Sequence, residues 1–524
     1  MPLSFICLRY GTSMPSVANS TLFLEPDNWD DYSHKTLFSL YLFDERGQRH
    51  ELGNTKIGYI SQPEGWTVDC VPESFFELST SFFSLGQDAD FYRAVFKASS
   101  ETAFSIADIL EPLRDVSFNA ENLRVAEQHN VFRVSILRTV DQSSIAQQFS
   151  RILRDEAPLS SYSFCYQRNA QSDYSQIRLI FETTPEMEPP TNIHILIGRN
   201  GVGKTTILNQ MVDTLIPERA ALGAQGAFYD LDSWGTPLIS QHYFAGVVSV
   251  SFSAFDTFIP PKNRDEPHSG IRYRYVGLKK EALEGEWALK SNEDLGQDCA
   301  NSLKICLALK SKRSRWLKAV STLRSDTNFS EMPLEELINR FDHDLCEKKS
   351  NFEADAKHLF SRMSSGHCIV LLTITSLIET VEEKTLVLID EPESHLHPPL
   401  LSAFTRALSN LLKNRNGVAI IATHSPVVLQ EVPKSCVSII NRSRLSSRVD
   451  PPNIETFGEN VGVLTREVFE LEVSESGFHN LLKESVRQGG TYESILSDYN
   501  YQLGFEGKAI LRSMFHNKNR SGRL

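Results

Sequence analysis

The stretch ILIGRNGVGKTTILNQM, residues 195–211, decides how the rest of this chain is read. An apolar run leads into Gly198-x-x-x-x-Gly203-Lys204-Thr205, and a helical pattern follows with Ile207, Leu208, Met211 and Leu215 on one face. Strand, glycine-rich turn and helix start, in that order, are what a phosphate-binding loop requires. Small residues let successive backbone N–H groups curl around a phosphate, and the helix N-terminus adds positive partial charge. The candidate binding set is Gly198, Asn200, Gly201, Val202, Gly203, Lys204, Thr205 and Thr206. Lys204 would reach the β- and γ-phosphates of ATP, and the Thr205 hydroxyl would ligate Mg²⁺.

Two later stretches carry matching chemistry. In KTLVLIDEPESHLHPPL (384–400), an apolar strand ends in Asp390 and Glu391. That places both acids at the carboxyl edge of a sheet, where ligands bind in open α/β folds. Asp390 would hold Mg²⁺ through water, and Glu391 would polarise the attacking water as general base. In GVAIIATHSP (417–426), His424 follows another apolar strand, 34 residues after Asp390. A histidine there can bond a γ-phosphate; a lone histidine after a strand is otherwise a surface or capping residue. The ordered set favours the first reading.

Working outward, IHILIG, GVVSVSF, TLVLID and GVAIIAT are short apolar strands separated by helical pattern, which predicts a parallel sheet with crossover helices. The fold class is therefore α/β, with the core split into residues 191–259 and 356–440. Residues 260–355 between them are mostly helical and charge-rich and are expected to form an inserted lobe. Residues 25–190 form a mixed, β-rich lobe that partly completes the core. It holds two strands around a tight turn (36–60), helical spacing (74–155) and a second hairpin (161–184), and it ends at the punctuation EMEPPTN. Residues 1–24 are expected to be a loosely held extension and 441–524 a mixed segment with a basic tail.

The chain has 524 residues, 41% apolar and 23% charged, with a formal net charge of -13. That length suits two or three lobes, and the charge excludes a general polyanion binder. Eight cysteines without a CxxC pair argue against structural zinc and disulfides and fit reduced thiols in a cytoplasmic protein. The longest apolar run, CIVLLTITSLI from 368, is about half of the ~20 residues that cross a membrane. The N-terminal residues lack the basic flank and apolar core of a signal peptide.

The phosphate loop, DEPE and THSP together resemble the ABC-type ATPase branch that includes SMC-like, RecF-like and OLD-like proteins. That branch carries a signature loop ahead of the acidic strand, and RMSSGH (362–367) stands in its place. Ser364, Ser365 and Gly366 match the pattern LSSGE/Q; Met363 and His367 depart from it. The resemblance implies that this loop contacts the γ-phosphate of a nucleotide held by another copy, so that ATP is sandwiched in at least a homodimer of heads. Transporter-type relatives have a glutamine after the strand GVVSVSF. Here Ser253 or Asp256 occupies that region and Gln241 precedes the strand, which argues against a transporter subunit.

Four further stretches, DNWDDYSHKTLFSLYLFDERG, FSLGQDADFYRAVFKA, VSVSFSAFDTF and IETFGENVGVLTREVF, are similar to the PtuA-like ATPase subunit of Septu-type antiphage systems, which also occurs with certain retrons. This resemblance implies an ATPase that holds a separate HNH-type (PtuB-like) nuclease in check until phage infection, and hydrolysis is expected to be slow. In retron forms it also implies contact with a reverse transcriptase and its RNA–DNA product. A RecF- or SMC-like repair ATPase and an ATP-locked scaffold that barely hydrolyses are the alternatives.

Other candidate sites are weaker. The chain after His424 is short and has no DxD, so a built-in nuclease is not expected. Asp342 and Asp344 in FDHDLCE read as a solvated helix face. His395 and His397 have no third ligand nearby in sequence and are expected to pack or hydrogen-bond rather than bind zinc. LKICLALKSKRSRWLK (303–318) is the best basic patch, with Lys304, Lys310, Lys312, Arg313, Arg315, Lys318 and the potential base-stacker Trp316. Its alternative is an ordinary solvated face. Arg512, Lys518, Arg520 and Arg523 read as a frayed terminus.

Overall fold

The architecture was obtained as a computed structural model. It describes residues 2–521 apart from 141, 157–158, 172–174, 241–242, 255, 265–270, 283–286, 348–351, 444–445 and 476. The amino-terminal lobe is built on a six-stranded sheet: β1 (Ser4–Cys7), β2 (Thr21–Pro26), β3 (Leu37–Phe43), β4 (Arg49–Tyr59), β5 (Ser74–Phe75) and β6 (Phe82–Gly86), in the order β5-β1-β2-β3-β4-β6. The expected turn at 36–60 is the β3–β4 hairpin. Helix α1 (Ala89–Glu101) and the segments up to Leu153 close its core.

The expectation of a loose extension over 1–24 is overturned. β1 pairs in parallel with β2 and antiparallel with β5, and Phe5 is fully buried. The strand is short and its partners lie far along the chain, so local pattern did not reveal it.

The second unit is three-layered. β7 (Tyr162–Arg168) and β8 (Ile177–Thr183) form the expected second hairpin. β9 (Ile193–Ile197) leads through the phosphate loop into α2 (Lys204–Leu215), and β10 (Gly226–Asp230) joins β7. β11 (Gly246–Ser251) and β12 (Arg272–Gly277) follow. Then come α3 (Asn292–Ala308), α4 (Lys310–Leu323), α5 (Leu334–Glu347), α6 (Phe352–Ser361) and α7 (Ser365–Thr380). β13 (Thr385–Asp390), α8 (Pro398–Arg415), β14 (Val418–Thr423), β15 (Val437–Ser443) and β16 (Ser446–Asp450) complete the sheet.

The seven strands run β12-β11-β13-β14-β9-β15-β16, all parallel except the last. Their near-continuous Val/Ile/Leu content is explained by cover on both faces. Alternate residues of each strand enter different cores. Ile193, Ile195, Val387 and Ile389 meet the helices, whereas Leu196, Leu386 and Leu388 meet α2 and the β8-β7-β10 sheet. This is the expected α/β head, with its phosphate loop between a central strand and a helix.

Three boundaries move. The 162–183 hairpin belongs to the head, not to the amino-terminal lobe, because its inward residues pack on α2. Residues 260–355 are not a separate lobe: β12 extends the central sheet, and α3–α6 share one core with α7 and α8. β15 and β16 add two strands to the head, so it does not end at 440. The tail is not frayed up to Ser521. Helices α9 (Val461–Glu475), α10 (Phe478–Arg487), α11 (Tyr492–Asp498) and α12 (Phe505–Ser521) follow, and Leu482, Val486, Ile495 and Leu511 form a small core of their own. Arg523 lies outside the described residues.

The amino-terminal lobe meets the head where the central strands begin. Arg272, opening β12, donates to the carbonyls of Leu137 and Val140 at 2.9 and 2.7 Å. Arg151 pairs with Glu383 at 2.6 Å, just before β13. Between them lies a buried knot. Asp88, the N-cap of α1, accepts from Arg315 at 2.6 Å and from Arg415 at 3.0 Å, and Arg415 also pairs with Glu382. The lobe thus seats on the edge opposite the carboxyl ends of β9, β13 and β14. Among the described residues, no helix is long and apolar enough to cross a membrane, and the seven described cysteines are free thiols.

Candidate functional site: the phosphate loop and its edge

The phosphate loop connects the buried end of β9 to α2. A Cβ on Gly198 would lie 2.3 Å from the Ile440 carbonyl oxygen, so only glycine lets β15 close against the loop. Gly201 and Gly203 take φ of +81° and +96°, the left-handed turn that glycine tolerates. Val202 is buried in the core beside α2, whereas Asn200 and Thr206 are exposed. Lys204 is buried, and its Nζ donates to the carbonyls of Gly198 and Arg199 at 2.9 and 3.1 Å, spanning the loop. Burial lowers its pKa, and the charges of Glu391, Glu393 and Asp390 oppose that shift.

The Thr205 hydroxyl donates to Asp390 Oδ1 at 2.9 Å, which joins the two expected Mg²⁺ ligands across 185 residues. Two hard oxygen donors beside a phosphate loop fit Mg²⁺, which takes few protein ligands and keeps waters. Burial pushes the Asp390 carboxyl up to about 7; Thr205 opposes this, while Glu391, Asp256 and Glu393 add to it. A divalent cation held there would therefore compete with a proton for Asp390. Mg²⁺-dependent ATP binding is expected to weaken about tenfold per pH unit below neutrality at limiting Mg²⁺, and saturating Mg²⁺ should restore it. ATP titrations on both sides of neutrality check this, and a flat profile at limiting Mg²⁺ contradicts it.

Glu391 sits at φ +45°, ψ +58°, a strained backbone for a non-glycine residue, with its amide donating to the Ala422 carbonyl at 2.9 Å. The bend takes the carboxylate off the strand line. His424 Nδ1 lies 3.8 Å from Glu391 Oε1 and 3.0 Å from Glu393 Oε1. Glu393 was not singled out from sequence. It is nearly buried, and one of its oxygens accepts from the Thr423 hydroxyl and from the His424 amide, both at 2.6 Å. It therefore holds the turn that presents His424. Its only sequence signal is its place in DEPE, two residues after Glu391.

The signature loop joins the same edge. Ser364 is the N-cap residue of α7, and both Ser364 and Ser365 are exposed. Gly366 is buried, and a Cβ there would come 2.6 Å from the His395 carbonyl oxygen, so the loop presses on the turn that follows Glu391. His395 Nε2 is 3.2 Å from the Phe252 carbonyl, and His397 Nε2 is 2.9 Å from Asp326 Oδ2. Both histidines are thus in structural contacts. Among the described residues no group of three or more His, Cys, Asp or Glu could hold a metal ion. Of the two residues named for the missing glutamine, Asp256 is the one whose charge reaches Asp390. Gln241 lies outside the described residues.

The basic stretch 304–318 is not the surface that its sequence suggested. Lys310 pairs with Glu51 and Arg313 makes two 2.7 Å bonds to Asp342, which also accounts for that acid. Arg315 pairs with Asp88 and Asp90. Lys312 is fully buried and donates to the Glu379 carbonyl at 2.5 Å. Trp316 is also buried, bonded to Thr375, and cannot stack on a base. Of the six cations only Lys318 is exposed. The Asp344 side chain lies outside the described residues.

The chain is similar to several known proteins. Residues 352–430 match the family model described as "AAA domain, putative AbiEii toxin, Type IV TA system". Protein ea59 of Escherichia phage lambda is 44% identical over 531 residues, 99% of each chain. The "Retron Vc95 probable ATPase" of Vibrio cholerae is 36% identical over 110 residues, 21% of each chain. Among solved structures, an ATP-binding cassette of an ABC transporter in its ADP conformation is 12% identical at a TM-score of 0.27, over 52% of this chain and 85% of that one. A nucleotide-free cassette is 14% identical at a TM-score of 0.29, over 59% and 95%.

Proposed function

This chain belongs to the family of the phage lambda protein ea59, and from that premise we propose that it is the ATP-binding and hydrolysing subunit of an antiphage defence complex. In this reading, ATP sandwiched between two heads restrains or licenses a separate HNH-type, PtuB-like nuclease. The observation that carries the ATP sandwich is the division of the site within one chain. Thr205 and Asp390 meet beside the phosphate loop, while Ser364 and Ser365 are exposed at the start of α7. The defence assignment is supported by the likeness to the retron ATPase of Vibrio cholerae.

The residues divide the work. The phosphate loop binds the triphosphate through backbone amides, and Lys204 exchanges its carbonyl partners for phosphate oxygens. Mg²⁺, held by Thr205 and Asp390, would supply charge neutralisation at the β- and γ-oxygens. Glu391 takes the proton of the attacking water, and His424, steadied by Glu393, bonds the γ-phosphate. The second head's Ser364, Ser365 and Gly366 close the site. Bound ATP then joins two surfaces that ADP leaves apart, and this couples nucleotide state to assembly. The reading places the complex in the cytoplasm. In a retron setting the same subunit would also hold a reverse transcriptase with its RNA–DNA product.

A nucleic-acid role of this chain alone loses much of its support, because Lys310, Lys312, Arg313 and Arg315 of the 304–318 stretch are engaged by the protein's own groups. Expression with its genomic neighbours, followed by weighing the purified complex, tests the proposal. The expected result is a fixed ratio of this chain to a nuclease, with nuclease control lost in Lys204→Ala. A protein that purifies without a nuclease and binds DNA ends or gaps in an ATP-dependent way supports the repair reading instead.

A further inference from the structure

His367 stands where the signature pattern has Glu or Gln, and the structure shows what that departure does. His367 is buried, and its ring bridges two side chains. Nδ1 lies 2.6 Å from Ser364 Oγ, and Nε2 lies 3.1 Å from Asp326 Oδ1. Asp326 comes from the helical segment between α4 and α5. It is itself buried and caps a short helical turn by accepting from the Phe329 amide at 2.9 Å. Its other oxygen faces His397 Nε2 at 2.9 Å.

We propose that Asp326 and His367 are positioning residues for the signature serine, so that the helical segment completes the half-site offered to a second copy's ATP. This rests on the sandwich reading above and deepens it.

The chemistry fixes the direction of the relay. Asp326 accepts only, so Nε2 is a donor and Nδ1 is left to meet Ser364. Ser364 is the N-cap of α7, yet its hydroxyl makes no capping bond, because the imidazole holds it. With Nε2 donating to Asp326, the tautomer leaves Nδ1 to accept from the Ser364 hydroxyl, which fixes the serine's rotamer and the place of its oxygen at the front of the loop. Asp326 fixes the ring by accepting from Nε2 on the same oxygen that accepts from the Phe329 amide. Ring packing against Phe329, at 6.0 Å between centroids, limits the alternatives open to the imidazole.

His397 gives the relay a second end. It follows the turn that carries Glu391 and Glu393, the acids serving the nucleotide held by its own chain. Ser364 serves the nucleotide of the other copy. One buried carboxylate therefore ties together two half-sites of one chain that act on different ATP molecules.

The test is ATP-driven pairing and steady-state hydrolysis in the full-length protein, compared with ATP binding at protein concentrations too low for pairing. Asp326→Asn keeps the capping oxygen and the volume. It is expected to raise the ATP concentration for half-maximal pairing by about tenfold or more, with binding by the single head unchanged. His367→Gln restores the residue type of the signature pattern and is expected to stay within about threefold of the parent, whereas His367→Ala matches Asp326→Asn. Added to Ser364→Ala, Asp326→Asn is expected to cost less than about twofold more, because both act through one hydroxyl. The positioning role is overturned if Asp326→Asn shifts nothing, or if its loss multiplies with that of Ser364→Ala. Ser365→Arg separates the two claims. If it blocks pairing while Asp326→Asn has no effect, only the relay falls. If it leaves pairing intact, the sandwich falls and the relay with it.

Discussion

Glu391→Gln is expected to slow ATP hydrolysis by about 10²- to 10⁴-fold while leaving ATP binding in place. The carboxylate is part exposed at the end of β13, on a backbone bent to φ +45°, and its neighbours are His424 and the phosphate-loop lysine. Glutamine keeps the shape and can still bond a water, but it cannot take the water's proton. Single-turnover phosphate release from a saturated complex measures the chemical step directly. Under the proposed function, a defence assay in cells distinguishes a hydrolysing regulator from an ATP-locked scaffold. A scaffold keeps its function in Glu391→Gln and loses it in Lys204→Ala, whereas a hydrolysing regulator loses it in both.

Asp88→Ala is expected to be the most damaging substitution away from the nucleotide. The Asp88 carboxylate is buried, and Arg315 and Arg415 outweigh that burial to hold it well below the usual carboxylate range. Removing it leaves two buried guanidiniums short of an acceptor and takes away the side-chain cap of α1, where Asp90 donates at 3.0 Å. A broken buried ion network of this kind costs about 3–5 kcal/mol. Because Arg415 closes α8 and Glu382 precedes β13, the loss falls on the seam between lobe and head. Denaturant unfolding should show a lower midpoint, or a separate early transition of the amino-terminal lobe; an unchanged curve contradicts this account. Asp88→Asn keeps the cap and should recover part of the loss.

Much of the head was legible because its signals are local. The phosphate loop, its strand and its helix are contiguous, and apolar runs such as TLVLID and GVAIIAT can hardly be anything but buried parallel strands. Ser364 to Gly366 were legible only as a motif, since nothing in RMSSGH shows which surface these three residues face. What stayed hidden depends on partners far apart in sequence. Asp326 and His367 are 41 residues apart, and Asp88 and Arg415 are 327 apart. Lys312, Arg315 and Trp316 looked like a solvated basic face because their partners Asp88, Glu379 and Thr375 lie on other elements. The same reason explains β1, whose partners are separated from it by a loop and by most of the lobe. The hairpin at 162–183 was recognised as a hairpin, but the proline-rich punctuation after it suggested the wrong owner.

The most direct test of the central claim is the mass of Glu391→Gln protein in solution, measured by light scattering with and without Mg²⁺ and ATP. Slow hydrolysis keeps ATP in place, so two heads should stay joined. Added ATP is predicted to double the number of joined heads, ADP to leave it unchanged, and Ser365→Arg in the same protein to abolish the increase while ATP still binds. A mass that ignores ATP, or an increase that survives Ser365→Arg, would contradict an ATP site shared between two copies of this chain.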